Sequence, residues 1–136
     1  DQYPDMEMVA QQTANWEKTE AYDKMEAMLQ ANPDIEGVIC GNDTMLEGVC
    51  AALQAAGKKL PVIGVDGSDE AAALIKSGDA TGTALQQFAV IAEMAVEQAD
   101  QYLKEGSTGV DEKQLVDCIA ITSENVDKLA GFVYTE

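Results

Sequence analysis

Four aromatic or polar side chains follow strand-like runs of the sequence, at the point where each run ends. They are Trp16, Asn42, Asp66 and Gln86. An indole offers an apolar plate, a carboxylate accepts strong hydrogen bonds, and an amide both donates and accepts. A sugar or polyol has the matching groups, which are an apolar C–H face and neighbouring hydroxyls. The set therefore predicts a site for a polyhydroxylated ligand rather than for a phosphate or a cation.

Each of these residues also has a purely structural interpretation. Trp16 can cover the core where a helix begins, and either Asn42 or Asp43 can be the N-cap of the helix that follows them. Asp66 lies in a segment typical of a turn, and Gln86 carries little information by itself. The functional interpretation therefore depends on whether the side chains meet at one edge of the fold.

The hydrophobic pattern predicts an alternation of strands and helices that would bring these side chains together. Strands are predicted at 6–12, 35–41, 60–65, 81–85 and 115–122, and helices at 17–30, 44–56, 68–76, 88–103 and 124–129, before a loose tail. Asn15 is the predicted N-cap of the first helix, and Gly78 and Gly106 are predicted to end the third and fourth. This order is typical of an α/β fold with an open, doubly wound parallel sheet, which binds ligands beyond the carboxyl ends of its strands.

The composition excludes several classes of function. Eight lysines and no arginine or histidine stand against 25 acidic residues among 136, for a formal net charge of -17. Such a surface repels nucleic acids and anionic membranes. Without histidine there is no imidazole base and no His-ligated zinc, and without arginine there is no bidentate clamp for a phosphate. We therefore expect a binding protein rather than an enzyme, with no cofactor and no metal.

The three cysteines show no spacing typical of a disulfide framework or a metal site. Cys40, Cys50 and Cys118 are isolated in apolar runs, and no CxxC pair is present. The sequence therefore predicts three buried free thiols.

Several motifs occur in this chain in a specific order. They are Asn32-Pro33-Asp34-Ile35, the segment 41–45 and the segment 62–67. Their combination resembles the periplasmic sugar-binding proteins of the ribose and galactose type, the substrate-binding components of ABC transporters, along nearly the whole chain. The resemblance implies that the ring of Trp16 stacks on a sugar.

The family resemblance also implies that Asn42, Asp66 and Gln86 hydrogen-bond the sugar hydroxyls. Lys18 and Asp43 lie beside this set, and we expect them to support and cap it. The implied partners are a sugar or polyol and an ABC permease, and the implied location is extracytoplasmic, in the periplasm or lipid-anchored at the cell surface.

The family resemblance also divides the chain. Type I periplasmic binding proteins have two lobes that close on the ligand. Residues 1–86 correspond to part of the C-terminal sugar-binding lobe, 87–114 to a helix that in the family packs on the N-terminal lobe, and 115–136 to a crossing strand, short helix and tail. We expect the first lobe and the opening βα unit of the second to be absent. The apolar stripe of the long helix would then be exposed, which predicts a homo-oligomer.

Two other functions remain open on the sequence. The ligand-sensing domain of a sugar-responsive repressor of the lactose-repressor type shares this fold and site, although the run 115–122 and the acidic surface favour the transporter branch. An enzyme or response-regulator-like domain could use Asp43 or Asp66 with a metal. The lack of an acidic pair on the first strand and of a partner lysine argues against this second alternative.

Overall fold

Helices alternate with the strands of a four-stranded sheet in the computed structural model, which describes residues 3–135. The elements in chain order are α1 Lys18–Ala31, β1 Val38–Ile39, α2 Asp43–Ala55, β2 Val62–Asp66, α3 Asp69–Ser77, β3 Gly82–Leu85, α4 Phe88–Glu105, β4 Ile119–Thr122, a 3₁₀ helix Val126–Lys128, β5 Leu129–Ala130 and β6 Val133–Tyr134. The strands of the main sheet lie in the order β1-β2-β3-β4.

The first three strands of this sheet are parallel. Val38 pairs with Val62 between β1 and β2, and Asp66 pairs with Leu85 between β2 and β3. The predicted α/β fold with a parallel sheet is therefore confirmed. The last strand, β4, runs antiparallel to β3, so the parallel pattern does not extend to the whole sheet.

The hydrophobic core lies between one face of the sheet and the helices. Side chains alternate between the two faces of a strand, so every second position points to the core. The largest fully buried side chains of the core are Met25, Leu46, Val62, Leu85 and Ile121. On the opposite face, Ile39 is 75% exposed and Ile63 is also exposed.

Two helices begin and end where the sequence predicts, because their end signals are local. The Ser68 side chain accepts a hydrogen bond from the Ala71 amide at 3.0 Å, which satisfies a free donor at the start of α3. Gly78 and Gly106 follow α3 and α4 with φ angles of 79° and 73°, a left-handed conformation that glycine adopts without strain.

The long helix α4 lies apart from the core. None of its 18 residues is buried, and Val96 and Leu103 are 70% and 84% exposed. Over residues 3–135, no helix combines the length and the apolar character needed to cross a bilayer.

The N-terminal segment differs from the prediction. Residues 6–12 form no strand, because no strand among residues 3–135 pairs with them and a lone strand leaves its backbone groups unpaired. Asn15 is not the N-cap of α1 either. Its φ angle is 49° and its side-chain amide donates to Glu20 Oε2 at 2.8 Å, while Glu17 is the N-cap residue and makes no side-chain cap bond.

The C-terminal third also differs. The strand predicted at 115–122 pairs only over Ile119–Thr122, and the helix predicted at 124–129 is a single 3₁₀ turn. The predicted loose tail instead forms the β5–β6 hairpin, whose two loop residues Gly131 and Phe132 both have positive φ angles. This is the geometry of a tight hairpin turn, and it was missed because the pair lacks the usual Asn-Gly or Asp-Gly signal. Likewise, the strand predicted at 35–41 is reduced to β1.

The cysteine prediction holds for two residues. Cys40 and Cys50 are buried, whereas Cys118 is exposed, and all three are free thiols. Cys118 directly precedes β4, whose pairing with β3 begins at Ile119.

Candidate functional site

The predicted site residues from β2 and β3 lie side by side. Asp66 is the last residue of β2 and Gln86 directly follows β3. Gln86 Nε2 donates to Asp66 Oδ1 at 2.8 Å, and the Gln86 amide donates to the Asp66 carbonyl at 3.2 Å. Both side chains are half-buried. The structure therefore brings a carboxylate and an amide into contact at the carboxyl ends of two neighbouring strands.

The backbone of Asp66 adopts an unusual conformation. Its φ angle is 128°, a region that residues with a side chain rarely adopt. Such strain persists only where the surrounding structure holds it, and it is concentrated at functional sites. The side-chain direction of Asp66 therefore depends on the segment that follows it.

Asn42 is the N-cap of α2, just beyond the carboxyl end of β1. Its Oδ1 accepts a hydrogen bond from the Met45 amide at 2.9 Å. The structural interpretation of Asn42 is thus correct for its oxygen. Its Nδ2 donates to no other side chain or carbonyl within residues 3–135, so this donor remains available to a ligand.

Trp16 lies against the loop between β1 and α2, which contains Gly41 and Asn42. Trp16 is 65% exposed, so it does not cover the core as the structural interpretation suggested. A β carbon on Gly41 would lie 3.1 Å from Trp16 Cζ3 and 3.0 Å from Met45 Cε. The absence of a side chain at Gly41 therefore allows the indole to lie close to the loop between β1 and α2.

Asp43 and Lys18 differ from each other in role. Asp43 is the first residue of α2 rather than its cap, and its buried carboxylate accepts three hydrogen bonds. Burial raises the pKa of Asp43, outweighing the lowering by these donors. Lys18 instead forms an exposed ion pair of 2.6 Å with Glu47, which links α1 to α2. The predicted capping role is wrong for Asp43, because Asn42 provides the cap.

Trp16 is exposed, and the other three predicted residues are half-buried at the carboxyl ends of their strands. One cavity of about 570 Å³ is lined by residues of 109–114. Another, of about 220 Å³, is lined by Cys50, Leu53, Gln54, residues 57–60 and Asp79. Neither lining includes a predicted site residue. Among residues 3–135, no group of three or more His, Cys, Asp or Glu side chains has the proximity to hold a metal ion. The edge can contact one side of a ligand through a ring face, amides and a carboxylate.

Sequence reasoning missed one contributor to this edge, Gly41, which admits the indole. It named Asp43 as a supporting residue beside the set, and the carboxylate of Asp43 does connect the loops behind the predicted residues. No sequence signal separates Asp43 from an ordinary acidic residue in the first turn of a helix, where the helix dipole favours acids in general. Its hydrogen-bond partners are visible only in three dimensions.

Comparisons with known proteins agree with this architecture. A family model described as periplasmic binding protein domain matches residues 1–108. The D-apiose import binding protein of Actinobacillus succinogenes is 54% identical over 134 residues, which is 97% of this chain and 43% of that protein. The xylitol-binding protein of Mycolicibacterium smegmatis is 37% identical over 136 residues, or 98% of this chain and 38% of that protein.

A solved structure shows the same fold. It is an ABC transporter periplasmic solute-binding protein from Actinobacillus succinogenes with bound D-allose, with a TM-score of 0.84 and 30% identity, covering 93% of this chain and 45% of that one. The chain thus spans less than half the length of the relatives it matches. With a parallel sheet and a family match over residues 1–108, the chain belongs to the periplasmic binding protein family.

Proposed function

We propose that this chain is part of the solute-binding component of an ABC importer and that it holds a monosaccharide or polyol at the carboxyl edge of its sheet. The observation that carries the proposal is the hydrogen-bonded pair of Asp66 and Gln86 at adjacent strand ends. The ligand would lie in a cleft between this lobe and a second one, since the edge itself reaches only one side of it. Residues 1–86 would provide the ligand-binding lobe, 87–114 the helix toward the other lobe, and 115–136 the crossing strand and tail.

The proposed contacts use the atoms that remain available at this edge. The exposed face of Trp16 stacks on the C–H face of the ligand. Asp66 Oδ2 accepts from a hydroxyl, Gln86 Oε1 accepts from another, and Asn42 Nδ2 donates to a third. Each group matches one feature of a polyol, and none requires a charged ligand.

A neutral ligand also agrees with the overall charge. The formal net charge of -17 repels sugar phosphates and sugar acids, and the four site residues include no cation to offset it. Two relatives of this chain that are more than 50% identical to it are D-apiose import binding proteins, and another is a xylitol-binding protein. D-apiose and five-carbon polyols are therefore the first ligands to test.

Binding rather than catalysis is the proposed mode of action. The relatives are transport binding proteins, and this family works outside the cytoplasm. For this chain we propose a place in the periplasm or on a lipid anchor at the cell surface, with an ABC permease as the docking partner. The names of the relatives favour transport over the repressor alternative.

A second copy of the chain is the other proposed partner. Val96 and Leu103 stand on the exposed surface of α4, and Ile39 is exposed on the uncovered face of the sheet. Apolar surface of this kind promotes association. We propose that isolated chains associate through α4.

The fluorescence of Trp16 provides a direct test, because the chain contains one tryptophan. The three polar contacts and the stacking contact together contribute a gross interaction energy of about 4–8 kcal/mol. Association costs at least about 4 kcal/mol in lost translational and rotational freedom. The remaining free energy corresponds to an affinity near or weaker than millimolar for this chain. Titration with D-apiose, ribose, xylitol and myo-inositol should therefore extend to roughly 100 mM. We expect a saturable change in emission with at least one of them.

The control for this titration is a pair of charge-matched variants. Asp66→Asn removes the carboxylate from the proposed site, whereas Asp34→Asn removes an exposed carboxylate before β1, at the opposite edge of the sheet. We expect only the first to weaken binding. Equal responses of both variants, or a linear unsaturable change with every sugar, would contradict the proposed function.

A further inference from the structure

One buried carboxylate connects the three segments that carry the proposed hydrogen-bonding residues. Asp43 is 2% exposed, and its Oδ2 accepts from the amides of Gly67 and Ser68 at 2.9 and 2.8 Å. Its Oδ1 accepts from Thr83 Oγ1 at 2.7 Å. The carboxylate therefore joins the start of α2, the turn after β2, and β3.

The backbone around this carboxylate leaves room for it. A β carbon on Gly64 would collide with Asp43 Oδ1, so β2 can pass the carboxylate closely only because residue 64 is glycine. Among residues 3–135, every buried side-chain nitrogen or oxygen has a hydrogen-bond partner. The three bonds of Asp43 are thus part of a fully satisfied buried network, which fixes the position of its members.

The two amides held by Asp43 directly follow Asp66. Because Asp66 has a φ angle of 128°, its conformation is not one that the residue would adopt unaided. Fixing the amides of Gly67 and Ser68 restrains the peptide on its carboxyl side, while Gln86 binds its side chain at 2.8 Å. The direction of the Asp66 carboxylate is therefore determined jointly by the contact with Gln86 and by the anchored turn.

We infer that Asp43 is a positioning residue for the ligand site, which holds the turn after β2 so that Asp66 meets both Gln86 and the ligand. The inference rests on the proposed function for its ligand, but the effect of Asp43 on Asp66 exists without one. Asp43 itself reaches no ligand, because it is buried behind the edge.

The test compares three variants of the whole chain. Asp43→Leu removes both acceptor oxygens, and Asp43→Asn keeps one oxygen for the amides of Gly67 and Ser68. Asn125→Ala is the matched control, since Asn125 also bridges backbone groups, bonding the Thr122 amide and the Ala120 carbonyl. It lies at the opposite end of β3, where Thr122 pairs with Gly82.

Two readouts separate positioning from stability. The first needs no ligand and is the NMR signal of the Gln86 side-chain amide, which reports its bond to Asp66. The second is the affinity for the best-binding sugar, measured below the unfolding temperature of each variant. For Asp43→Leu we expect the Gln86 signal to move toward that of a free amide and the affinity to fall about tenfold or more, while Asp43→Asn stays within about threefold of the native chain.

The outcomes distinguish the inference from the function it rests on. If Asp43→Leu is destabilised like Asn125→Ala but keeps the native Gln86 signal and affinity, Asp43 has only a structural role and the inference is wrong. If no sugar binds even to the native chain, the proposed function fails, and the Gln86 signal still decides whether Asp43 positions Asp66. Should Asp43→Leu not fold, Thr83→Val removes one donor from the carboxylate and gives the same two readouts.

Discussion

Asp66 and Gln86 are held together by a side-chain hydrogen bond. The bond between Gln86 Nε2 and Asp66 Oδ1 uses one amide proton and one carboxylate oxygen, and it leaves Asp66 Oδ2 and Gln86 Oε1 for hydroxyls. The bond restrains both side chains relative to each other, which lowers the side-chain entropy that ligand binding at this pair would cost. Asp66 therefore combines the strongest acceptor of the proposed site with a backbone conformation that residues with a side chain rarely adopt.

Substitutions of Asp66 separate these two properties. Asp66→Ala and Asp66→Gly both remove the carboxylate and its bond to Gln86, so both should lose sugar affinity by about tenfold or more. Glycine adopts a φ angle of 128° freely whereas alanine does not, so Asp66→Gly should be more stable than Asp66→Ala by about 1–3 kcal/mol. Chemical denaturation measures this difference. Equal stabilities would show that the backbone of Asp66 is not strained.

Gly41 determines how closely the indole of Trp16 approaches the loop before α2. In Gly41→Ala the new β carbon would lie 3.1 Å from the Trp16 ring and 3.0 Å from Met45, tighter than ordinary contacts, so the ring must shift. We expect a changed Trp16 emission and weaker sugar binding. Gly37→Ala is the control, because its β carbon meets only the Pro61 carbonyl at an ordinary 3.5 Å. Identical emission and affinity in the two variants would contradict this role of Gly41.

The three thiols should differ in reactivity. Burial raises the pKa of Cys40 to about 12 and that of Cys50 to about 11, whereas Cys118 is exposed. Since the thiolate is the reactive form, only Cys118 should react quickly with a thiol reagent at pH 8 in the folded chain. Counting thiols before and after denaturation tests this, with one and then three expected. Rapid reaction of all three in the folded chain would mean that the core around α2 opens readily.

At the scale of single residues, the sequence was sufficient to identify groups at strand ends but not their partners. The position of Asp66 and Gln86 follows from strand boundaries, which hydrophobic runs reveal. Their mutual hydrogen bond depends on the register between β2 and β3. The burial of Asp43 depends on the closeness of Gly64, which no local pattern records.

At the scale of elements, helices were predicted better than strands, and the reason is physical. The cap at Ser68 and the glycines after α3 and α4 act within one turn of the chain, so their signals are contiguous in sequence. A strand forms only where a neighbour satisfies its backbone. Residues 6–12 contain a short apolar run but have no partner among residues 3–135, and they form no strand.

Helix α4 is the element whose surface should control association. Replacing Val96 and Leu103 together by glutamate adds charge to its exposed apolar surface, so self-association should weaken. Because neither residue is buried, the unfolding free energy of the monomer should change by only about 0.5 kcal/mol or less for each. Sedimentation velocity over a range of concentrations measures the association.

The matched control for these variants adds the same charge elsewhere. Gln54→Glu and Ala73→Glu together lie on exposed positions of α2 and α3. This pair should leave association nearly unchanged. A native chain that sediments as a monomer at every concentration, also in high salt where the repulsion of its -17 charge is screened, would contradict the proposed partner.

At the scale of the whole molecule, the fold concentrates its hydrogen-bonding potential at one edge. The parallel arrangement of β1, β2 and β3 brings their carboxyl ends together, and the residues that follow them form the proposed site. The same molecule leaves apolar surface on α4 and on one sheet face, and it spans less than half the length of its relatives. We expect this chain to supply one side of a binding cleft, with correspondingly weak affinity when it acts alone.

Mapping the ligand by NMR tests the strand-end site most directly. Titrating the isotope-labelled chain with D-apiose should shift the Trp16 indole signal and the backbone amides of 41–43, 66–68 and 86–87, with all shifts following one binding curve. Signals at the amino ends of the strands, such as those of Lys58 and Asp79, should not move. If the shifted amides instead lie around the cavity lined by 109–114, or are scattered over the surface without saturation, the proposed site at the carboxyl edge of the sheet is wrong.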